Sequence, residues 1–213
     1  MRNRIITSTA AMLFVFAINI SAQSFTSTQE LKLACETSPN NLVQINVPTQ
    51  ISSGPQAPAT EFVDTKCTIA LGAFASFEAS QVSMTFNGPL RFQAANEAHV
   101  RFIESEFHAT AINVAQTSKS LFQVERSLLN ATVGNIAINS GSEGIVDIKG
   151  PLVGGNLVAA GAINISGGLK FEAALTDAGL NAGAGINVNL TGAEGKFVST
   201  TSTMEAANGA INV

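Results

Sequence analysis

The chain has 213 residues, of which only 12% are charged, with a formal net charge of −4 and a pI near 5.1. Nucleic-acid binding leaves a basic footprint on a sequence, and this composition excludes it. The surface must be covered by Ser, Thr, Asn and Gly rather than by ions, and it offers few groups for acid–base chemistry. Tyr and Trp are absent, so any aromatic platform for a sugar would be built from Phe.

The N-terminus predicts an export signal. Arg2 and Arg4 precede a short apolar run, and Ser21-Ala22 offers small residues for cleavage. The run is too short to span a bilayer comfortably, which favours a cleaved peptide over residues 1–22; a retained membrane anchor is the alternative. No later segment has about 18 uninterrupted apolar residues, so we expect no membrane span after cleavage. These features predict a secreted or cell-surface protein, of bacterial origin.

The two cysteines are consistent with an exported protein. An exported chain meets oxidising conditions, so Cys35 and Cys67 are predicted to form a disulfide. Two free buried thiols are the alternative. No histidine lies near either cysteine in the sequence, so we expect no zinc site, and no other metal or cofactor.

Residues 23–66 read as an N-terminal cap and loop. Ser27 and Glu30 have the spacing of a capping box before a short helix. Residues 42–47 alternate as a strand does, and residues 48–60 contain three prolines typical of an extended loop. Residues 67–213 then form the main domain.

That domain repeats one short phrase in which an asparagine follows an isoleucine. The asparagines are Asn113, Asn139, Asn164, Asn187 and Asn212, with steps of 26, 25, 23 and 25 residues. A period near 25 with apolar–polar alternation predicts an all-β fold, a single-stranded parallel β-helix (solenoid) of about five to six turns. An antiparallel sandwich explains the alternation but not the constant period.

A second recurring position is occupied by large apolar residues, Phe102, Phe122, Val146, Phe171 and Phe197. Their similar spacing predicts that they stack on one another in the interior of the solenoid, where turns rise by about 4.8 Å.

The repeat resembles the Gly-Gly-Ala-Ile repeats of autotransporter-type surface proteins. The residues that carry the resemblance are Gly161-Ala162-Ile163 and Gly209-Ala210-Ile211, with Gly185-Ile186 as a degenerate copy. Such repeats wind into right-handed β-helices, so the resemblance implies an exported, adhesin-like rod.

Two sets of residues are candidate sites. The five asparagines are predicted to form either a structural ladder of amides or a flat ligand-binding surface. Glu104, Glu106 and His108 are the charged residues that could line a catalytic groove, although a solvated strand face explains them as well.

We therefore expect a non-enzymatic surface or extracellular solenoid that is adhesin-like or assembly-forming. One alternative is a polysaccharide-active lyase or hydrolase of the β-helix type, and another is a glycan- or ice-binding module. The sequence stops at Val213 inside the repeated phrase, which has two explanations: the sequence is a piece of a longer rod, or an open strand edge supports self-association there. A glycan is a further possible partner.

Overall fold

The computed structural model describes residues 24–53, 59–150 and 156–213. The predicted signal peptide, residues 1–22, lies outside the described residues. In the described part no helix has the length and hydropathy needed to cross a membrane.

A single α-helix, α1 (Thr28–Thr37), precedes the strands in the described part of the chain. The Ser27 side chain caps it by accepting a hydrogen bond from the Glu30 amide, as the capping-box spacing predicts. The Glu30 carboxylate turns back and accepts from the amide and the hydroxyl of Thr26, and these bonds lower the pKa of Glu30. Leu31 and Cys35 form the buried side of the helix.

The strands repeat in threes, and every third strand joins the same parallel sheet. The first sheet contains β1 (Leu42–Ile45), β4 (Cys67–Leu71), β7 (Leu90–Ala94), β10 (Ile112–Gln116), β13 (Ile136–Ser140), β16 (Ile163–Gly167), β19 (Ile186–Leu190) and β22 (Ile211–Asn212). The second sheet contains β2 (Thr49–Ser52), β5 (Ser76–Ser80), β8 (His99–Ile103), β11 (Leu121–Glu125), β14 (Ile145–Lys149), β17 (Glu172–Thr176) and β20 (Lys196–Thr200). The third sheet contains β3 (Thr60–Val63), β6 (Ser83–Phe86), β9 (Glu106–Ala109), β12 (Leu128–Ala131), β15 (Leu157–Ala159), β18 (Gly179–Ala182) and β21 (Thr203–Ala206).

This order is that of a parallel β-solenoid, and it confirms the predicted fold class. With eight, seven and seven strands in the three sheets, the coil completes about seven turns rather than the predicted five to six. The difference arises at the N-terminal side. The first turn runs through β1, β2 and β3, so the coil begins at Leu42 and not at Cys67. Among the described residues, α1 and the turn that follows it precede the coil.

The core is the interior of the coil, filled because inward and outward side chains alternate along each strand. The largest buried side chains are concentrated in the second to fourth turns. Phe102 is central among them, with ring centroids 4.8 Å from Phe107, 5.4 Å from Phe92 and 5.9 Å from Phe122. Later turns are filled mainly by Ala, Val, Leu and Ile.

The predicted interior column is correct in part. Phe122, Val146 and Phe197 share one column of the second sheet. Phe102 pairs with Val124 and belongs to the next inward column, while Phe171 precedes β17. Phe102 and Phe171 are nevertheless fully buried, so the prediction found core residues but not their register.

Two of the three corners use left-handed backbone at successive turns. The corner between the first and second sheets has φ between 55° and 61° at Phe74, Glu97, Lys119, Glu143 and Lys170. The corner between the second and third sheets has positive φ at Gln81, Glu104, Arg126, Gly150, Asp177 and Thr201. Left-handed backbone is costly for residues with a Cβ, so hydrogen bonds from the stacked turns must maintain it.

The third corner, which returns to the first sheet, explains the Gly-Ala-Ile phrase. A Cβ on Gly161 would lie 3.0 Å from the carbonyl oxygen of Gly134, one turn below. At Gly209 it would overlap the carbonyl oxygen of Ala184. Glycine suits Gly161 and Gly209 because a side chain there would crowd the backbone of the turn below, although Ala184 occupies the equivalent position of the turn between them.

Cys35 and Cys67 form the predicted disulfide, with a Cα–Cα distance of 5.3 Å. It joins the buried side of α1 to the start of β4, and both residues are fully buried. The bond therefore fastens the helix to the beginning of the second turn.

Candidate functional site

The structure places four of the five predicted asparagines in one outward column of the first sheet, and three of them are consecutive. Asn164, Asn187 and Asn212 pair directly across β16, β19 and β22. Asn187 Nδ2 donates to Asn164 Oδ1 at 2.9 Å, and Asn212 Nδ2 donates to Asn187 Oδ1 at 2.8 Å. This is an amide ladder, the structural alternative of the prediction, and its side chains are half-buried or exposed rather than enclosed.

The other two asparagines do not extend that ladder. Asn113 belongs to the same column but is separated from Asn164 by Ala137. Asn139 lies two residues further along its strand and pairs with Ser166, whose hydroxyl donates to Asn139 Oδ1 at 2.7 Å. The prediction of a single column of five asparagines is therefore wrong, because Ala137 and not Asn139 is the structural equivalent of Asn113.

Together the two outward columns form a surface that we call the carboxamide face. Its amide-bearing residues are Gln44, Gln93, Asn113, Asn139, Asn164, Asn187, Asn189 and Asn212. Most remaining positions hold Ala, Ser or Thr, and among the described positions of these columns Arg91 is the single charged residue. The face is a flat, nearly uncharged array of hydrogen-bond donors and acceptors.

The outer face of the second sheet differs sharply, because it carries a column of charged and amide side chains. Gln50 Nε2 donates to Glu78 Oε1 at 2.9 Å, and Arg101 Nη1 donates to Glu78 Oε2 at 2.8 Å. Arg101 Nε then donates to Gln123 Oε1 at 2.9 Å, and Gln123 reaches Asp147 at 3.4 Å. Each of these side chains hydrogen-bonds to its neighbours in the adjacent turns, so this face is a structural ion-pair network.

The predicted catalytic residues lie at the corner and on the third sheet. Glu104 occupies the left-handed corner, where Arg126 Nη2 lies 2.7 Å from Oε1 and Gln81 Nε2 donates to Oε2 at 2.9 Å. Glu106 and His108 share the outer face of β9, with Oε2 and Nε2 3.8 Å apart. Both oxygens of Glu104 are thus engaged, and the catalytic assignment of the three residues stays a prediction.

In the described residues no group of three or more His, Cys, Asp or Glu side chains could hold a metal ion.

Two shallow depressions flank the corner between the first and second sheets, over the second to fourth turns. One, of about 400 Å³, lies at the ends of β4, β7 and β10 and is lined by Ala70, Leu71, Gln93, Ala94, Ala95, Ala115, Gln116 and Thr117. The other, of about 500 Å³, is lined by Phe74, Glu97, His99 and Lys119. Sequence reasoning found neither of them, because residues far apart in the chain line both.

Phe74 is unusual within the second depression. Its backbone φ is 61°, a conformation that is a genuine outlier for a bulky residue and costs about 1–3 kcal/mol. Its ring is 69% exposed, so burial does not offset that strain. Asn or Gly would adopt this backbone more easily, and neither packing nor conformation explains a phenylalanine here.

Above Phe74 the corner continues as a column of alternating charge, which we call the corner charge column. Its members are Glu97, Lys119, Glu143, Lys170 and Glu194. Lys119 Nζ lies 4.0 Å from Glu143 Oε2, and Lys170 Nζ lies 3.7 Å from Glu194 Oε2. These pairs are exposed, so each contributes little to stability.

Comparison with protein-family models, with curated proteins and with solved structures finds no match to this chain.

Proposed function

We propose that this protein is an exported, non-enzymatic, adhesin-like rod that binds an uncharged polymer through its carboxamide face. The observation that supports the proposal is the segregation of charge. The second sheet carries an ion-pair network, whereas the carboxamide face has Arg91 as its one charged residue among the described positions. The disulfide agrees with an oxidising, extracellular location.

The chemistry of the carboxamide face favours a neutral polysaccharide as the ligand. Each side-chain amide offers both donors and an acceptor, which match the hydroxyl groups of a sugar. Strands repeat about every 4.8 Å, so a long ligand that lies along the rod would meet a side-chain amide at nearly every turn. A charged polymer would lose hydration on this face without gaining an ionic partner.

We expect Ala137→Lys to weaken binding of the protein to insoluble cellulose or chitin by about tenfold. Ala137 lies between Asn113 and Asn164 in the carboxamide face, so a lysine there projects a charge into the contact surface. Sedimentation with each polymer measures the bound fraction. Ala174→Lys is the matched control, because Ala174 is an outward alanine on the second sheet. Equal binding by the two variants, or no retention of the unchanged protein, would contradict the proposal.

We also propose that the last turn supports association with a second copy. The strands β20, β21 and β22 pair on one side only among the described residues. The inward-facing Phe197 and Met204 are only partly buried, and Ile211 is 43% exposed. Unpaired strand edges above an open core template pairing with another chain.

Concentration-dependent oligomers are therefore expected for the unchanged protein in size-exclusion chromatography with light scattering. Ile211→Lys should give a monomer, because an inward-pointing charge at an edge opposes strand addition. Val133→Lys, at an exposed corner position in the middle of the rod, should leave the oligomers unchanged. A monomeric unchanged protein at high concentration would rule out this contact.

A further inference from the structure

The geometry points to a separate saccharide-binding site at the corner between the first and second sheets, where a sugar ring stacks on Phe74. Glu97, His99 and Lys119 line the same depression and would hydrogen-bond the sugar hydroxyls. This inference rests on Phe74 at the corner, which lies outside the carboxamide face, although the adjoining depression includes Gln93 of that face. The Phe74→Asn and Ala137→Lys variants therefore test the two proposals separately.

Phe74 carries the argument because its side chain gains nothing from the fold. Its left-handed backbone is shared with the equivalent corner positions of the other turns, so what distinguishes Phe74 is an aromatic residue that is 69% exposed. The adjacent corner positions hold long charged side chains that water solvates well, whereas the Phe74 ring presents an apolar surface to solvent. An exposed ring of this kind matches the apolar face of a sugar.

The groups around the ring define the class of ligand. Glu97 accepts hydrogen bonds, Lys119 donates them, and His99 can do either, so the site matches neutral hydroxyls on both sides of a ring. The opposite charges of Glu97 and Lys119 leave the site without a strong net charge. A few polar groups around an apolar contact surface are the usual composition of a small-molecule site.

The neighbouring depression on the first sheet extends the site. Ala95 and Glu97, and likewise Thr117 and Lys119, are separated by one residue, so the two depressions lie on either side of the same corner. The depression on the first sheet is lined mainly by small residues, together with Gln93. An oligosaccharide of several units could therefore lie across the corner, with one ring on Phe74 and the next above the alanines.

The test is NMR titration of the full chain, labelled at phenylalanine, with the soluble probes cellohexaose, chitohexaose and mannohexaose. At least one probe should shift the ring resonances of Phe74, which are assigned by their loss in Phe74→Asn. Phe74→Asn should weaken binding of that probe by about tenfold or more, the size expected when a central aromatic contact is removed. Its Tm should be unchanged or higher, because Asn tolerates the left-handed backbone better.

Phe62→Thr is the matched control, since Phe62 is also an exposed phenylalanine (56%) but lies on the outer face of the third sheet. It should bind the probe as the unchanged protein does. The inference is overturned if no probe shifts Phe74, if Phe62→Thr weakens binding equally, or if Phe74→Asn binds normally. A lowered Tm for Phe74→Asn would show that the ring is structural, and that result would also overturn it.

Discussion

Replacing Phe102 by alanine should lower the free energy of unfolding by about 3–5 kcal/mol, the range for a buried aromatic residue that leaves a cavity. Phe102 is fully buried, and its ring approaches those of Phe77, Phe92, Phe107 and Phe122 within 4.8–6.4 Å. Each such pair adds about 0.5–1.5 kcal/mol beyond the buried area. The inward side chains of a stack of turns cannot easily collapse into the space, because the strand ladder fixes the spacing of the turns.

The effect should be larger than that of a cavity in a later turn. A phenylalanine leaves a larger cavity than a leucine, and its removal also loses the ring contacts with the neighbouring phenylalanines. Urea unfolding followed by circular dichroism measures the loss of free energy. Leu175→Ala, at the corresponding inward column of β17, is the comparison, since Leu175 is also fully buried but is not aromatic. A loss below about 2 kcal/mol for Phe102→Ala would show that the phenylalanine cluster is not the stabilising centre.

Removing the disulfide should lower the free energy of unfolding by about 3.5–4 kcal/mol. Cys35 and Cys67 are separated by 32 residues, and the chain-entropy model gives this value for a closed loop of that length. The double variant Cys35→Ala, Cys67→Ala avoids placing two unpaired thiols or hydroxyls in the core. Urea unfolding of this variant beside the oxidised protein measures the difference.

Which residues lose protection in the double variant is as informative as the change in the free energy of unfolding. The bond fastens α1 to β4, so hydrogen exchange in the double variant should rise first in α1 and in the first turn of the coil. Turns beyond the fourth should keep their protection until the whole coil unfolds. Uniformly faster exchange along the rod would mean that the solenoid unfolds as one unit and that the helix is not a separate cap.

The fold class could be predicted because a solenoid imposes the same demand on each turn. Three strands must return to the same place, and their inward positions must be apolar, so period and alternation both appear in the sequence. The register of the strands was harder to predict from the sequence. From β10 to β13 to β16 the first residues are 24 and 27 residues apart, whereas Asn113, Asn139 and Asn164 are 26 and 25 apart. Because the corners of successive turns differ in length, Asn139 lies outside the column, although the sequence distance from Asn113 to Asn164 is the same as that from β10 to β16.

The corner sites could not be predicted for a different reason. Sequence reasoning places Gly or Asn at left-handed corners, but this chain uses Phe74, Glu97 and Lys119 there. Such residues give no local signal of positive φ, because the hydrogen bonds that hold them come from other turns; the Phe74 amide, for example, donates to the carbonyl oxygen of Asn96. The depression around Phe74 is thus a property of stacked turns and not of any one segment.

The corner charge column has a consequence for how the chain finds its correct alignment during folding. Turns of similar sequence could pair one step out of place, since their strand patterns are nearly interchangeable. Skipping one turn would set Glu97 over Glu143, or Lys119 over Lys170, so that a like charge replaces an opposite one at the misaligned step. Each such contact is worth no more than about 1 kcal/mol, so the bias at any one step is small. These surface charges hardly stabilise the folded protein, but they would favour the correct alignment of the turns while the coil folds.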